Sequence, residues 1–177
     1  MIEIRPRSGC YVKIPRLSKP DRTQTGLWLG QDVSPLEVFQ LRKIIEREAA
    51  LQTLLQASDN EINRIENMYG KMQSHEAFIG GIEDYNFHYA IISASGNRIY
   101  TKLFEEIWNW GDAYFLWDNF ERTSKELEEI RSIHSKILSA MKNRNQKELI
   151  KSLYEHFEIT GKNIEMQNIE FSQSLLV

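Results

Sequence analysis

Hydrophobic and polar positions change rhythm once along this chain, at about Ser34. Before it, Ile2 and Ile4 alternate with charged neighbours, Pro6 to Gly9 (P-R-S-G) supply a turn, and Tyr11, Val12 and Ile14 resume the alternation. That is the pattern of a β-hairpin over residues 1–14, too short to be stable alone. Residues 15–33 hold Pro15, Pro20, Gly26 and Gly30 among polar groups and read as a linker.

From Ser34 the period becomes helical and stays so. Ser34-Pro35 predicts an N-cap with proline at the first helical position, and Glu37 falls in the first turn. Leu36, Phe39, Ile44, Ala50, Leu51, Leu54 and Leu55 then recur at helical spacing. Ser58 and Glu61 form a capping box opening a second helix, with Ile62, Ile65, Met68 and Tyr69 on its apolar face. A third helix is expected from about Ile79 to Ser95, ending at Gly96-Asn97, where Asn97 caps the next. The fourth carries Ile99, Leu103, Phe104, Ile107 and Trp108, with Trp110, Tyr114, Phe115 and Trp117 beyond. A fifth covers about Lys125 to Met141 and a sixth about Gln146 to Ile164, with Asn145 and Glu148 as the capping box between them. No strand pattern follows residue 14. The expectation is an all-α, antiparallel bundle of six to seven helices over residues 34–177, preceded by a short β-hairpin.

Composition narrows the class. At 177 residues, with 41% hydrophobic and 27% charged residues, the chain has room for one well-cored domain and an appendage. No run of about 18 uncharged apolar residues exists, so a membrane span is not expected. The N-terminus lacks the apolar core of a secretory signal. Cys10 is the single cysteine, which excludes an internal disulfide framework and fits a reducing, cytoplasmic setting. A net charge of −3 gives no general attraction to nucleic acid.

The candidate chemistry lies in the histidines. Ile130, Ile133, Ile137, Leu138 and Met141 define the stripe of the fifth helix, and His134 falls inside it. Leu149, Leu153, Phe157, Thr160 and Ile164 mark the inward side of the sixth, and His156 falls inside that. Both lie 11 residues from Asn145 at the bend, about 16 Å along each helix at 1.5 Å per residue. In an antiparallel pair they reach the same height. Asp84 and His88, in the stretch D-Y-N-F-H, share a helix face at i and i+4. Aspartate is rarely buried without a partner. One Asp and three inward His form an N/O set suited to a divalent transition metal, and bundle cores are where helical proteins build such sites. The plainer alternative is three core histidines satisfied by local partners, with Asp84 and His88 as an ordinary hydrogen-bonded pair. His75 stands in a polar loop and reads as solvated.

Arg42 sits between Leu41 and Ile44. It is either a salt-bridged arginine, with Glu46 as partner, or a guanidinium fork for a ligand carboxylate. Trp108, Trp110 and Trp117 read as core or interface aromatics. No phosphate loop, dinucleotide fingerprint, nucleophile elbow or H-E-x-x-H zinc motif occurs, and Cys10 has no activating base beside it.

Over Ser34 to Ile164 the chain resembles the FCD effector domain of GntR-family bacterial transcription regulators, in the FadR-like subfamily. The markers are L-R-K-I-I-E (Leu41 to Glu46), D-Y-N-F-H, A-S-G-N (Ala94 to Asn97), H-S-K-I-L-S-A-M (His134 to Met141) and Y-E-H-F (Tyr154 to Phe157). In metal-binding members an Asp, the His four residues on and two later His hold zinc, nickel or a similar ion. The resemblance carries those roles to Asp84, His88, His134 and His156, with zinc as the first expectation and nickel or manganese as alternatives. The acyl-CoA-binding FadR lacks this set. A small carboxylate effector is implied above the metal, met by Arg42 and, less directly, Asn97. L-F-E-E-I-W-N-W (Leu103 to Trp110) is similar to hexuronate-responsive members. I-E-I-R-P-R-S-G-C-Y-V is similar to the wing of a winged helix-turn-helix, making Arg5 and Arg7 contacts to DNA backbone or minor groove. The helices that read the major groove would lie upstream of Met1, so this chain alone is not expected to bind an operator specifically.

The expectation is therefore a homodimeric ligand-sensing domain, holding a divalent metal and a small organic acid. Two rivals stand beside it. One is a metal-dependent hydrolase or other enzyme whose Asp/His site activates water. The other is a dimerisation module that takes no ligand.

Overall fold

In the computed structural model of the protein the described residues are 2–5, 9–12, 33–74, 81–113 and 123–174. Arg7, Ile14, residues 15–32, His75, Tyr114, Phe115 and Trp117 lie outside them. Strands β1 (Ile2–Arg5) and β2 (Gly9–Val12) pair antiparallel, with Ile2 opposite Val12 and Arg5 opposite Gly9. Gly9, expected in the turn, thus opens the second strand. Six helices follow among the described residues: α1 (Pro35–Gln56), α2 (Asp59–Ser74), α3 (Ile82–Ala94), α4 (Arg98–Ala113), α5 (Ser124–Lys142) and α6 (Gln146–Ser174).

The caps explain the boundaries. Glu37 N donates to Ser34 Oγ at 3.3 Å while Glu37 Oε2 accepts from Ser34 N at 2.8 Å. Ser58 and Glu61 repeat this reciprocal box before α2, and Thr123 and Glu126 before α5. At α6 only the forward half is seen, with Glu148 N donating to Asn145 Oδ1 at 3.1 Å. The third helix ends at Gly96, whose φ of +68° is the left-handed conformation a helix stop uses. The sixth helix runs past the expected Ile164 to Ser174, because residues 165–174 contain no glycine or proline to stop it.

Helix α1 is the axle of the bundle, packing against α3, α4 and α6, while α2 bridges α3 and α5, and α5 lies along α6. Its inward stripe is Val38, Phe39, Arg42, Ile45, Glu46, Ala49, Ala50, Thr53 and Leu54. Two residues placed on that stripe from the pattern alone are on the outside: Ile44 is 55% and Leu55 77% exposed. The true stripe follows 3- and 4-residue steps through the polar Arg42 and Glu46, and an apolar count skips both.

The end of α1 is pinned from two sides. Thr53 Oγ1 donates to the Ile91 carbonyl at 2.6 Å, and the Gln56 side-chain amide donates to the Ser95 carbonyl. Arg144, at φ +52° in the α5–α6 turn, donates to the Leu54 carbonyl at 2.9 Å. A cation thereby meets carbonyls that the helix leaves without partners.

At its other end α1 approaches α6 closely. A Cβ on Gly161 would stand 2.6 Å from Phe39 Cε1, and that ring is 4% exposed and packs edge-on against Phe157 at 6.0 Å. Gly161→Ala is expected to destabilise the fold by about 1–3 kcal/mol through overpacking, partly offset by alanine's helix preference of about 1 kcal/mol. A fall in the urea midpoint at unchanged slope is the readout.

Candidate metal centre

Three helices bring the site together. Asp84 and His88 come from the first two turns of α3, His134 from the middle of α5 and His156 from α6. All are buried, with exposures of 3%, 2%, 0% and 1%. His134 and His156 do reach the same height, their ring centroids 4.7 Å apart. His88 is 5.2 Å from His134 and 4.9 Å from His156. Each of the three rings offers a nitrogen within 4.8 Å of the others. Asp84 flanks this group, its Oδ1 3.4 Å from His134 Nε2 and 3.8 Å from His88 Nε2.

These distances suit a shared cation. His88 Nε2 and His134 Nε2 are 3.2 Å apart. Two nitrogens at about 2.0–2.1 Å from a tetrahedral zinc are separated by roughly 3.3 Å. Hydrogen bonding alone serves the cluster less well, because buried His134 Nδ1 makes no hydrogen bond among the described residues. The edges of Phe87 and Phe157 close the site at 5.3 Å from the His134 and His156 rings. The donor set therefore fits a divalent transition metal.

A residue that the sequence offered only as a partner for Arg42 completes the arrangement. Glu46 Oε2 lies 2.7 Å from His88 Nδ1, and its other oxygen accepts from Arg42 Nε. Arg42 is 4% and Glu46 2% exposed, and the Arg42 guanidinium carbon stands 5.0 Å over the Trp108 ring. Arg42 thus makes the ion pair with Glu46 that its spacing suggested, at one remove from the histidines. The signal for Glu46 was its place on the α1 stripe, one turn before Ala50. Asn97 is the cap of α4, accepting from Ile99 N at 3.0 Å. Arg5 lies on β1.

Burial raises the tendency of Glu46 to hold a proton, but Arg42 and His88 outweigh it and bring its pKa down to about 2. Burial is also the chief influence on His134, lowering its pKa to about 4 against the opposing pull of Asp84. His134 is therefore neutral at pH 7 and keeps a lone pair for a ligand. Both groups bind protons more readily when unfolded, so both make stability rise with pH. For the metal-free chain, the His134 contribution is complete above pH 6.5 and lost as pH falls toward 4. The Glu46 contribution is complete above 4.5 and lost toward 2. Denaturant titrations across this range are expected to show that decline, and His134→Leu should flatten the part between pH 6.5 and 4.

Comparison with known proteins places the fold. Residues 37–159 match the family model described as the FCD domain. The chain is 24% identical over 179 aligned residues to the Uxu operon regulator of Haemophilus influenzae, covering 96% of this chain and 65% of that protein. It is 25% identical over 182 to the Uxu operon transcriptional regulator of Escherichia coli K12, covering 97% and 68%. The chain thus spans about two thirds of the length of these curated relatives. Among solved structures, Streptococcus agalactiae GntR is similar in fold, with a TM-score of 0.60 at 18% identity, covering 92% of this chain and 74% of that one. No described helix is long and apolar enough to cross a membrane.

Proposed function

Because this chain belongs to the FCD-domain family of GntR-type regulators, we propose that it is the ligand-sensing part of a transcription regulator. In this reading Asp84, His88, His134 and His156 hold one divalent cation, zinc before nickel or manganese. The observation that carries it is the three-histidine cluster, buried, drawn from three helices and flanked by a carboxylate. What a bound cation supplies is fixed positive charge for the carboxylate of a small organic acid. The Uxu operon regulators are relatives over nearly the whole chain, which favours a hexuronate as that acid. Arg42 connects to His88 through Glu46 and is assigned to the effector's carboxylate end; Asn97 is a secondary contact.

The wider organisation follows the same reading. Residues 1–14 are the wing of a winged helix-turn-helix, with Arg5 and Arg7 toward DNA, 15–33 a linker, and 34–177 the sensing domain of a cytoplasmic homodimer. An effector that binds one packing of the bundle better than another shifts the population toward it and changes how paired DNA-binding units are held. The curated relatives are operon regulators by name, which supports a regulator over the metal-dependent enzyme.

Elemental analysis of purified wild-type chain is expected to find about one transition-metal ion per chain, and His134→Ala to lose it. Equal metal content in the two would remove the site. Glucuronate or galacturonate is expected to raise the melting temperature of the metal-loaded chain, in line with stabilisation of about 2.7 kcal/mol at 100 times the Kd. The chelator-treated chain should show no such rise.

A further inference from the structure

We infer that Glu46 is a positioning residue for the metal centre, fixing the His88 proton on Nδ1 so that Nε2 faces the other ligands as a lone pair. The inference rests on the metal reading above and names what sets that site's affinity.

The geometry leaves Glu46 little choice of role. Its Oε2 lies 2.7 Å from His88 Nδ1 and its Oε1 accepts from Arg42 Nε. A carboxylate can only accept in that position, and an arginine can only donate. The imidazole nitrogen facing Glu46 must therefore carry the hydrogen, leaving Nε2 of a neutral ring without one. That nitrogen is the one 3.2 Å from His134 Nε2 and 3.8 Å from Asp84 Oδ1. Glu46 and His88 come from different helices, α1 and α3, so the bond also sets the ring's direction across a helix interface. Arg42, buried with its guanidinium 5.0 Å over the Trp108 ring, anchors the carboxylate from the far side.

Glutamine at position 46 makes the role testable, because it has one acceptor oxygen where glutamate has two. Arg42 cannot accept, so it claims that oxygen, and the amide NH₂ is left facing His88 Nδ1. The ring then relieves the donor–donor clash by moving its hydrogen to Nε2, the ligand atom. Outer carboxylate partners of metal-bound histidines are worth about 10–100-fold in metal affinity.

The experiment uses the full chain as wild type, Glu46→Gln and His134→Ala. Imidazole ¹⁵N shifts are recorded without metal, and Zn(II) affinity is read by competition with a chromophoric chelator. Expected for Glu46→Gln are a switch of His88 from the Nδ1-H to the Nε2-H tautomer and Zn(II) binding 10–100-fold weaker than wild type. The Co(II) visible spectrum should change as well, which a general loss of stability would not produce. If Glu46→Gln keeps both the wild-type tautomer and the wild-type affinity, the inference is overturned. Should the wild type itself bind no Zn(II), the metal reading fails, while the tautomer comparison still decides the role of Glu46. If Glu46→Gln does not fold, Arg42→Met/Glu46→Met replaces the whole ion pair with apolar side chains of similar length. That variant is expected to fold with the same loss of affinity, and unchanged affinity there would equally overturn the inference.

Discussion

The ion pair between Arg42 and Glu46, buried on the inward stripe of α1, is the constraint around which this core is organised. A lone carboxylate there would cost several kcal/mol in lost hydration. Arg42 compensates its charge, and His88 takes the second oxygen. The pair in turn determines what α3 presents to α5 and α6. With Glu46 in place, His88 is aimed away from α1 and toward His134 and His156. The histidines are inward because their stripes are apolar; His88 is oriented because α1 carries a charge.

That orientation depends on α1 and α3 being fixed to one another, and the fold supplies this separately from the site. Thr53 and Gln56 bond to carbonyls near the end of α3, and Arg144 in the α5–α6 turn binds the carbonyls at the end of α1. One end of α1 is thus tied to the other helices that carry ligands. Near the other, Gly161 lets α6 come against Phe39. A helix held at both ends positions a side chain in its middle more accurately than a loop would.

The sequence made the helices and the histidine coincidence visible, since both are matters of spacing. His134 and His156 were placed opposite each other by counting from Asn145, and their rings are neighbours. Ile44 and Leu55 went wrong for a physical reason: an apolar count assumes that the inward stripe is apolar. On α1 it is not, and the register was pulled toward exposed residues by two buried charges that looked like surface. Glu46 was hidden by the same assumption. It appeared only as a partner for Arg42, whereas its second oxygen serves His88, a contact between helices that no spacing within α1 reveals. Asn97 was read correctly as a helix cap.

The carboxylates near the histidines differ in what holds them. A water-activating site needs a general base whose pKa lies near the working pH. Glu46 is held by Arg42 and His88 at about 2, which makes it a permanent acceptor and a poor proton carrier. Glu155, beside His156 in sequence, is on the outer face of α6 and bonds Lys136 at 3.0 Å. Asp84 Oδ1 lies 3.4 Å from His134 Nε2 and flanks the histidines. Glu46 and Glu155 are thus each committed to a cation, and that arrangement suits a site that holds charge in place.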